Sequence, residues 1–365
     1  AGMAYGETDT SLDEYFDDGD NCIDTGGRVG PCQDVIQLDQ SNPRGGDATL
    51  TFNRDRFAGA ISYQTFKDDG FRINNDVESD SVRAFFAFAP TPRDQFQVNV
   101  IDGSRETGDL PLRGFPGLVG LERIETELTN IGLGYHRVIS PAADLAISAI
   151  YNDTQQNAGI SLLDLSSVVE LQGSQIEAQY VLRQNAVTWT AGAGHFDGEQ
   201  KATSSIGGLD PVTNEGDDGF DNAYVYAKIR NLGPVEINAG ASYEDVLAPL
   251  GLLPPRDSNI LPGDVAYEDN QVSPKFGLSA YATPTTVVRA TAYSRLTPAI
   301  GRLQTLEPTQ VSGFNQFFDD PGGTSSVNYG LGLDQQFSRS VFFGFSVLRR
   351  DLDIPEPTCD NPCLL

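Results

Sequence analysis

Apolar and polar residues alternate along most of this chain with a period of two. In the segment PVEINAGASY, residues 234–243, Val235 and Ile237 share one parity, while Glu236 and Asn238 share the other. Successive side chains of a strand point to opposite faces, so the segment predicts a strand with one apolar and one polar face. Similar alternation is found in LAISAIY, VTWTAGAG, NAYVYAKIR, FGLSAYA, VVRATAY, NYGLGLD and VFFGFSVL.

The connections between these segments alternate in length. Short turns are predicted at 53–56, 90–94, 140–143, 183–186, 231–234, 283–285 and 338–340. Long polar connections, rich in Asp, Gly and Pro, are predicted at roughly 67–79, 102–122, 153–167, 197–219, 246–270 and 298–324. Outer-membrane barrels place short turns on the periplasmic side and longer loops outside, so the alternation is typical of such a barrel.

The predicted fold class is therefore all-β, a transmembrane antiparallel up-and-down β-barrel. We expect about fourteen strands in this sequence, and sixteen or more in the complete protein. The predicted organisation is a polar extracellular loop segment with a partial strand at its start (1–46), the barrel (47–352) and a second extracellular loop segment (353–365). Both ends then fall at long-loop positions, whereas barrel chains begin and end in the periplasm, so we expect the barrel of this sequence to be incomplete.

Composition excludes several classes of function. Of the 365 residues, 51 are acidic and 24 basic, and a net charge of -27 is unfavourable for binding a nucleic-acid backbone. No apolar run reaches the ~20 residues that a membrane helix needs. The acidic runs SLDEYFDDGDN, NEGDDGFDN and FFDDPGG contain oxygen ligands suited to calcium but lack the EF-hand order. Solvated or sugar-facing loops are favoured, and no metal or cofactor is predicted.

The four cysteines, Cys22, Cys32, Cys359 and Cys363, lie in polar terminal segments without the spacing of a zinc or haem site. Disulfides in an oxidising compartment are favoured. Closeness in sequence predicts the pairs Cys22–Cys32 and Cys359–Cys363, although four cysteines allow three connectivities.

Residues that could carry chemistry are few. The two histidines, His136 and His195, stand in no arrangement with Ser, Cys or Asp that would form a catalytic base, so no enzyme is predicted. Phase with the apolar face assigns these polar residues to the lumen: Arg83, Asn99, His136, Glu177, Gln179, Lys228, Glu236, Asn238, Arg289, Arg295 and Asp334. The opposite parity is assigned to lipid at Val187, Trp189, Ala191, Val235, Ile237, Phe343 and Phe345.

Aromatic residues stand close to several of the short turns. Phe57, Phe96, Trp189 and Phe343 all follow a predicted turn within a few residues. Outer-membrane barrels carry aromatic girdles at the two membrane surfaces. These positions predict such a girdle at the short-turn side.

Two segments also resemble known proteins. LQTLEPTQVSGFNQFFDDPGGT (303–324) and DLPLRGFPGLVGLERIETELTNIGLGYHRV (109–138) resemble barrel regions of proteobacterial outer-membrane proteins that carry tetratricopeptide repeats. YSRLTPAIGRLQTLEPTQ (293–310) is more loosely similar to the barrels of TonB-dependent receptors. The resemblance implies an outer-membrane barrel and no particular substrate. Neither a helical repeat domain nor a receptor plug domain is recognisable in the sequence.

The functional hypothesis is a channel, or the membrane part of a transport or export assembly, in the outer membrane of a Gram-negative bacterium. Small polar solutes would pass through its charged lumen, because mixed charges in an aqueous lumen orient polar solutes and tune ion passage. The alternative is a blocked structural or binding barrel whose acidic outer loops engage a surface partner. Expected partners are outer-membrane lipid and a periplasmic or surface protein. A soluble, exported all-β adhesin is a third possibility.

Overall fold

The described part of the chain consists of β-strands and their connections. The computed structural model describes residues 3–5, 21–23, 29–31, 42–70, 74–108, 122–160, 164–207, 209–230, 232–249, 266–298, 304–317 and 320–355. For 3–5, 21–23 and 29–31 it describes the backbone alone. These ranges include no helix that is long and apolar enough to cross a membrane.

Nineteen strands are found in these ranges. They are β1 (Met3–Tyr5), β2 (Asn21–Ile23), β3 (Val29–Pro31), β4 (Arg44–Arg54), β5 (Phe57–Asp68), β6 (Val77–Thr91), β7 (Asp94–Gly108), β8 (Glu122–Ser140), β9 (Ala143–Ile160), β10 (Leu165–Gln184), β11 (Val187–Ile206), β12 (Val212–Ile229), β13 (Val235–Pro249), β14 (Ala266–Thr283), β15 (Thr286–Leu296), β16 (Gln310–Val311), β17 (Phe314–Asn315), β18 (Ser325–Gln336) and β19 (Phe342–Asp353).

One antiparallel sheet contains fifteen of these strands, in the order β1, β4 to β15, β18, β19. Fourteen of them are long, and the short β1 pairs with β4 through Met3 opposite Ala48. Each long strand is joined to the next in sequence by an up-and-down connection, so the predicted fold class and the expected number of strands are confirmed. Within the described ranges, no ladder joins β19 to the opposite edge of the sheet.

All seven short turns are found where the sequence predicts them. The tightest join paired strands through two residues, as between Arg54 and Phe57, where Asp55 has a positive φ of 51°. Asp tolerates this left-handed conformation better than most residues because its short side chain can hydrogen-bond locally. All seven turns lie at one end of the sheet, called the short-turn end below, and the opposite end is called the long-loop end.

The long connections are shorter than the sequence suggests, because the strands continue into them. β9 and β10 are separated by 161–164 alone, and β11 and β12 by 207–211, so the loops predicted at 153–167 and 197–219 are wrong. The acidic run NEGDDGFDN lies within β12 and not in a loop. β10 and β11 each have 20 residues, about twice the length that a tilted strand needs to cross a membrane.

The two faces of the sheet follow the predicted parities. Directly opposed residues of paired strands point to the same face, and one face carries many exposed apolar side chains, among them Leu50, Ile61, Leu133, Ile176, Phe276 and Leu331. Val187, Trp189, Ala191, Val235, Ile237, Phe343 and Phe345 belong to this face. A continuous apolar surface of this kind is expected where a barrel meets lipid. We call it the exterior face, and the opposite one the lumen face.

Aromatic rings cluster on the exterior face near the short-turn end. Phe57 and Phe88 stack with ring centroids 4.8 Å apart, and so do Phe96 and Tyr135. Trp189 is also exposed there. This arrangement agrees with the predicted girdle.

Beyond the apolar belt, toward the long-loop end, the exterior face becomes acidic. Tyrosines mark the change, since Tyr63 donates a hydrogen bond to Asp80 at 2.6 Å and Tyr243 donates one to Asp245 at 3.2 Å. The acidic side chains of this exterior region are Glu78, Asp80, Asp102, Glu106, Glu125, Glu127, Asp153, Glu170, Asp197, Glu199, Glu215, Asp217, Asp221, Asp245 and Glu268. The outside of the extended strands therefore carries much of the chain's acidity.

An arginine at the long-loop end joins two of these acidic groups. Nη1 and Nη2 of Arg123 donate to Asp76 at 2.8 and 3.0 Å, and its Nε donates to Glu106 at 3.0 Å. The hydrogen bonds from Arg123 hold the pKa of Asp76 below its ordinary value. The cluster connects Asp76, the residue just before β6, to Glu106 of β7 and Arg123 of β8.

We expect Arg123→Met to lower the free energy of unfolding by about 1 kcal/mol or less at pH 7, because the side chains are partly exposed. A carboxylate with a lowered pKa stabilises the folded state above its unfolded pKa of about 3.9, and this contribution is lost as the pH falls through the folded pKa. Thermal unfolding in detergent micelles should therefore show a gap between wild type and variant that closes below about pH 4. A gap of the same size at pH 7 and at about pH 2.5 would contradict the assignment.

Candidate functional site

The lumen face carries the polar residues that the sequence assigns to it. Register puts all eleven on the face opposite the apolar belt: Arg83, Asn99, His136, Glu177, Gln179, Lys228, Glu236, Asn238, Arg289, Arg295 and Asp334. Their surroundings differ, because a segment of the chain lies against part of this face.

That segment, residues 304–317, belongs to the connection between β15 and β18 and is called the lumen segment. It contains the hairpin β16–β17, in which Val311 pairs with Phe314. The two residues of its turn, Ser312 and Gly313, have positive φ of 49° and 81°, as a two-residue turn of type I′ requires. The prediction that residues 298–324 form an outer loop is therefore wrong for these residues, which fold inward.

A buried glutamate on the wall holds the start of the lumen segment. The carboxylate of Glu177 accepts hydrogen bonds from the backbone N–H groups of Leu306 at 2.9 Å and Glu307 at 3.2 Å. It also accepts from the hydroxyls of Thr305 at 3.1 Å and Tyr224 at 3.0 Å. Backbone donors bound to a buried carboxylate form strong, charge-assisted hydrogen bonds. Glu177 therefore fixes the segment to β10.

Gln175 and Gln179, neighbours of Glu177 on the lumen face of β10, bind the same stretch. Gln175 donates to the carbonyl of Gln304 at 2.7 Å, and Gln179 donates to that of Leu306. Three consecutive lumen-facing side chains of one strand thus satisfy backbone groups of the segment. Backbone groups buried without such partners would be costly.

Glu307, in the lumen segment, lies in a buried cluster of charges. Its carboxylate accepts a hydrogen bond from Tyr226 at 2.5 Å and lies 3.5 Å from Nη1 of Arg295 and 3.9 Å from Nζ of Lys275. Lys275 also lies 3.6 Å from Glu244 of β13. These charged side chains are almost wholly buried, so the segment supplies the counter-charge for two cations of the wall.

The hairpin tip of the segment packs on the strands that follow. Asn238 donates to the hydroxyl of Ser312 at 2.8 Å, and Tyr293 donates to the carbonyl of Asn315 at 2.6 Å. Phe314 lies over Gly330 of β18, where an added Cβ would stand 2.7 Å from its ring. The absence of a side chain at Gly330 lets the hairpin approach the wall this closely.

The lumen segment lies against only part of the lumen face. Its contacts reach β10, β12, β13, β14, β15, β18 and β19. On β4, β6 and β7 the lumen-facing side chains of Thr51, Arg83, Phe85 and Gln97 are exposed. Among the described residues, the interior is therefore filled on one side and open on the other.

At the short-turn end, three wall carboxylates pair with bases of the lumen face. Asp144 binds Arg183, and Glu236 lies 2.7 Å from Nζ of Lys228. Asp334 accepts two hydrogen bonds from Arg289, whose guanidinium also lies over the ring of Phe314. The first two pairs border open lumen, whereas the third lies beneath the hairpin.

Two of the cations expected to meet solutes are therefore enclosed. Arg295 is buried beside Glu307, and Arg289 is held between Asp334 and the hairpin. Sequence reasoning missed Lys275 and Glu307, among others, since pairing them required the inward fold of the segment. The alternation of residues in β14 places Lys275 on the lumen face. No feature of the sequence indicated that Glu307 would be its partner.

The remaining candidate residues are placed as follows. His195 lies on the exterior face, with Nδ1 2.8 Å from Asp221. Cys32, Cys359 and Cys363 lie outside the described residues, and only the backbone of Cys22 is described, opposite Gly30 in the hairpin β2–β3. Both disulfide pairings stay predictions.

Comparison with known proteins shows similarity at the level of structure. No protein-family model matches the chain, and no curated protein matches it. Among solved structures, the alcaligin outer-membrane receptor FauA from Bordetella pertussis is 14% identical, with a TM-score of 0.63 over 87% of this chain and 50% of that one. The ferric yersiniabactin uptake receptor FyuA from Yersinia pestis is 11% identical, with a TM-score of 0.65 over 86% and 52%. The copper transporter OprC is 11% identical, with a TM-score of 0.59 over 82% and 49%.

The chain thus spans about half the length of the receptors and the transporter that it matches. At such low identity the likeness concerns the fold alone, and it supports the resemblance to receptor barrels. The resemblance to proteins with tetratricopeptide repeats stays a prediction. An apolar exterior, short turns at one end and this likeness give the chain the fold of a β-barrel of the Gram-negative outer membrane.

Proposed function

We propose that residues 47–352 form an outer-membrane transport barrel whose long strands make the wall, and that small polar solutes pass between the lumen segment and the open part of that wall. The observation that carries this proposal is the uneven filling of the lumen. Thr51, Arg83 and Gln97 face open interior, whereas Glu177 and Arg295 are buried under the segment. A path with polar walls along one side suits hydrated solutes.

In this proposal the lumen segment is a fixed constriction. Glu177 accepts hydrogen bonds from two of its backbone N–H groups, and Glu307 joins it to Lys275 and Arg295. If the segment detached, these groups would lose their hydrogen-bond and ion-pair partners. Each buried donor left unsatisfied costs about 1–3 kcal/mol. The segment is therefore held in place, and in this proposal it narrows the lumen without closing it.

The receptors and the transporter of similar structure are named for alcaligin, ferric yersiniabactin and copper. Their cargo is no guide to this chain at 11–14% identity and about half their length. The proposal accordingly rests on the polarity of the open wall, and the class of solute is small and polar.

Single-channel recording in planar bilayers tests the proposal. We expect channel openings of stable conductance from the wild type and openings of larger, more variable conductance from Glu177→Ala. In this variant the backbone N–H groups at the start of the segment lose their acceptor, at a cost of about 1–3 kcal/mol for each N–H group. Glu170→Ala is the matched control, since Glu170 lies on the same strand but on the exterior face, 4.0 Å from Lys201. Its openings should equal those of the wild type.

The runner-up function, a blocked binding barrel, predicts another result. A wild type without stable openings that opens only as Glu177→Ala would mean that the lumen segment closes the barrel. If Glu177→Ala and Glu170→Ala changed the channel conductance equally, the lumen segment would not be the constriction.

A further inference from the structure

Two carboxylates at the short-turn end of the lumen wall each hold two bases. Asp144 on β9 binds Arg183 on β10, and its other oxygen lies 3.4 Å from Nε2 of His136 on β8. Glu236 on β13 lies 2.7 Å from Nζ of Lys228 and 3.2 Å from Nε of Arg230. Three permanently charged bases thus share two carboxylates, and the histidine adds charge when it is protonated.

The bases are more exposed than the carboxylates that they bind. The side chains of Asp144 and Glu236 are 17% and 15% exposed, whereas those of Arg183, Lys228 and Arg230 are 53%, 39% and 56% exposed. A solute that passes this level meets ammonium and guanidinium groups first. The surface presented to it is positive.

The bases also form a continuous row. Arg183 is directly opposite Thr188 of β11, which is directly opposite Lys228 of β12. With neighbouring strands about 4.8 Å apart, Arg183 and Lys228 belong to strands about 10 Å apart. Arg230 follows Lys228 on the same parity, so we call Arg183, Lys228 and Arg230 the basic row.

The net charge of -27 does not determine the potential at this level. Fifteen of the 51 acidic residues lie on the exterior face near the long-loop end, as do Asp80 and Glu199, away from the lumen face of the short-turn end. Clefts lined by one sign of charge between low-dielectric walls concentrate ions of the opposite sign. The local surplus of bases is therefore the charge that a passing ion meets.

From this geometry we propose that the basic row attracts small anions and gives the lumen a preference for them over cations. This inference rests on the proposed transport function, because it names the class of solute for the same passage. Arg289 and Arg295 contribute little to it, since Asp334 and Glu307 pair with them beneath the lumen segment.

Reversal potentials under a potassium chloride gradient test the proposal. We expect the wild type to favour chloride, and the triple variant Arg183→Gln, Lys228→Gln, Arg230→Gln to lose this preference. A change of about 1 kT in the lumen potential alters the anion-to-cation ratio roughly sevenfold, and we expect a fall of at least that size. Lys228→Gln alone leaves Glu236 paired with Arg230, so this variant should fold as the wild type does and shift the ratio in the same direction by less.

The matched control is Arg54→Gln, Arg93→Gln, Arg137→Gln, which removes the same charge from the same end of the barrel but from turn or exterior positions. Its reversal potential should match that of the wild type. A conducting wild type that favours potassium, an unchanged ratio in the triple variant, or an equal shift in the control would overturn the anion preference and leave the transport function standing. No conductance in any of these proteins would overturn the transport function, and the preference with it.

Discussion

Glu307→Gln should destabilise the barrel by about 3–5 kcal/mol, the cost expected when a buried ion pair loses one partner. The amide keeps an oxygen that can accept from Tyr226, but it removes the charge opposite Arg295 at 3.5 Å and Lys275 at 3.9 Å. Both cations are buried, so water cannot replace the lost carboxylate without opening the interface. The lumen segment should therefore separate from β14 and β15 before the barrel itself unfolds.

Urea unfolding in lipid vesicles, followed by the fluorescence of Trp189, would measure the stability. Limited proteolysis at neutral pH would show whether residues 304–317 become accessible. Glu215→Gln is the control, because it makes the same charge change at an exposed site 3.4 Å from Lys201. It should lower the free energy of unfolding by about 1 kcal/mol or less.

A second variant separates charge from shape. Lys275→Met combined with Glu307→Gln removes one of the two cations that lie against Glu307 and keeps a side chain of similar length. This double variant should recover part of the stability lost by Glu307→Gln alone, because replacing buried charges by apolar groups is often neutral or stabilising. A double variant that is less stable than the single one would show that the loss of Lys275 from its other partner, Glu244, costs more than the removal of a buried cation gains.

The strands of the barrel wall could be predicted from the sequence because the alternation that marks them depends only on the surroundings of each strand. Where one face of a strand meets lipid and the other meets water, apolar and polar residues must alternate, as at Val235 and Glu236. Short turns interrupt that alternation with residues such as Asp55 and Asn185. Strand number, parity and turn positions followed from these two signals.

The outer extensions of the strands could not be read in this way. Above the lipid, the exterior face of β10 and β11 meets water, so residues such as Glu170 and Glu199 are as suitable there as apolar ones. The alternation ends while the backbone ladder continues. A composition typical of loops, as in NEGDDGFDN, is then compatible with a strand.

The lumen segment was missed for a different reason. Its contacts with β10 join residues more than a hundred positions apart, as between Glu177 and Leu306, and its contacts as a whole depend on several strands of the wall being in place. Parity assigned Glu177 and Arg295 to the lumen, but it did not distinguish a side chain in open solution from one buried against an inserted hairpin. The sequence therefore predicted where these residues point and not what they bind.

The positions that the sequence assigns to lipid allow a direct test of which face meets the membrane. We expect Phe345→Arg to lower the free energy of unfolding by about 2–4 kcal/mol, as for arginine near the middle of a bilayer. Phe345 lies on the exterior face of β19 and is 57% exposed. It follows the turn at 338–340 by five residues, which at about 3.3 Å per residue along a tilted strand places it well inside the apolar belt.

Ser346→Arg is the matched control, because Ser346 is the next residue of the same strand, is exposed, and lies on the lumen face opposite Gly332. An arginine there can reach water in the interior, so it should cost less than about 1 kcal/mol. Folding into phosphatidylcholine vesicles, followed by the reduced mobility of the folded barrel on cold gels, would compare the two variants. Both residues pair with the same neighbouring strand, β18, at adjacent positions, so a difference between the two variants reports mainly which face the new side chain meets. Equal losses would mean that Phe345 and Ser346 meet the same solvent, which would remove the distinction between lipid and lumen at this strand.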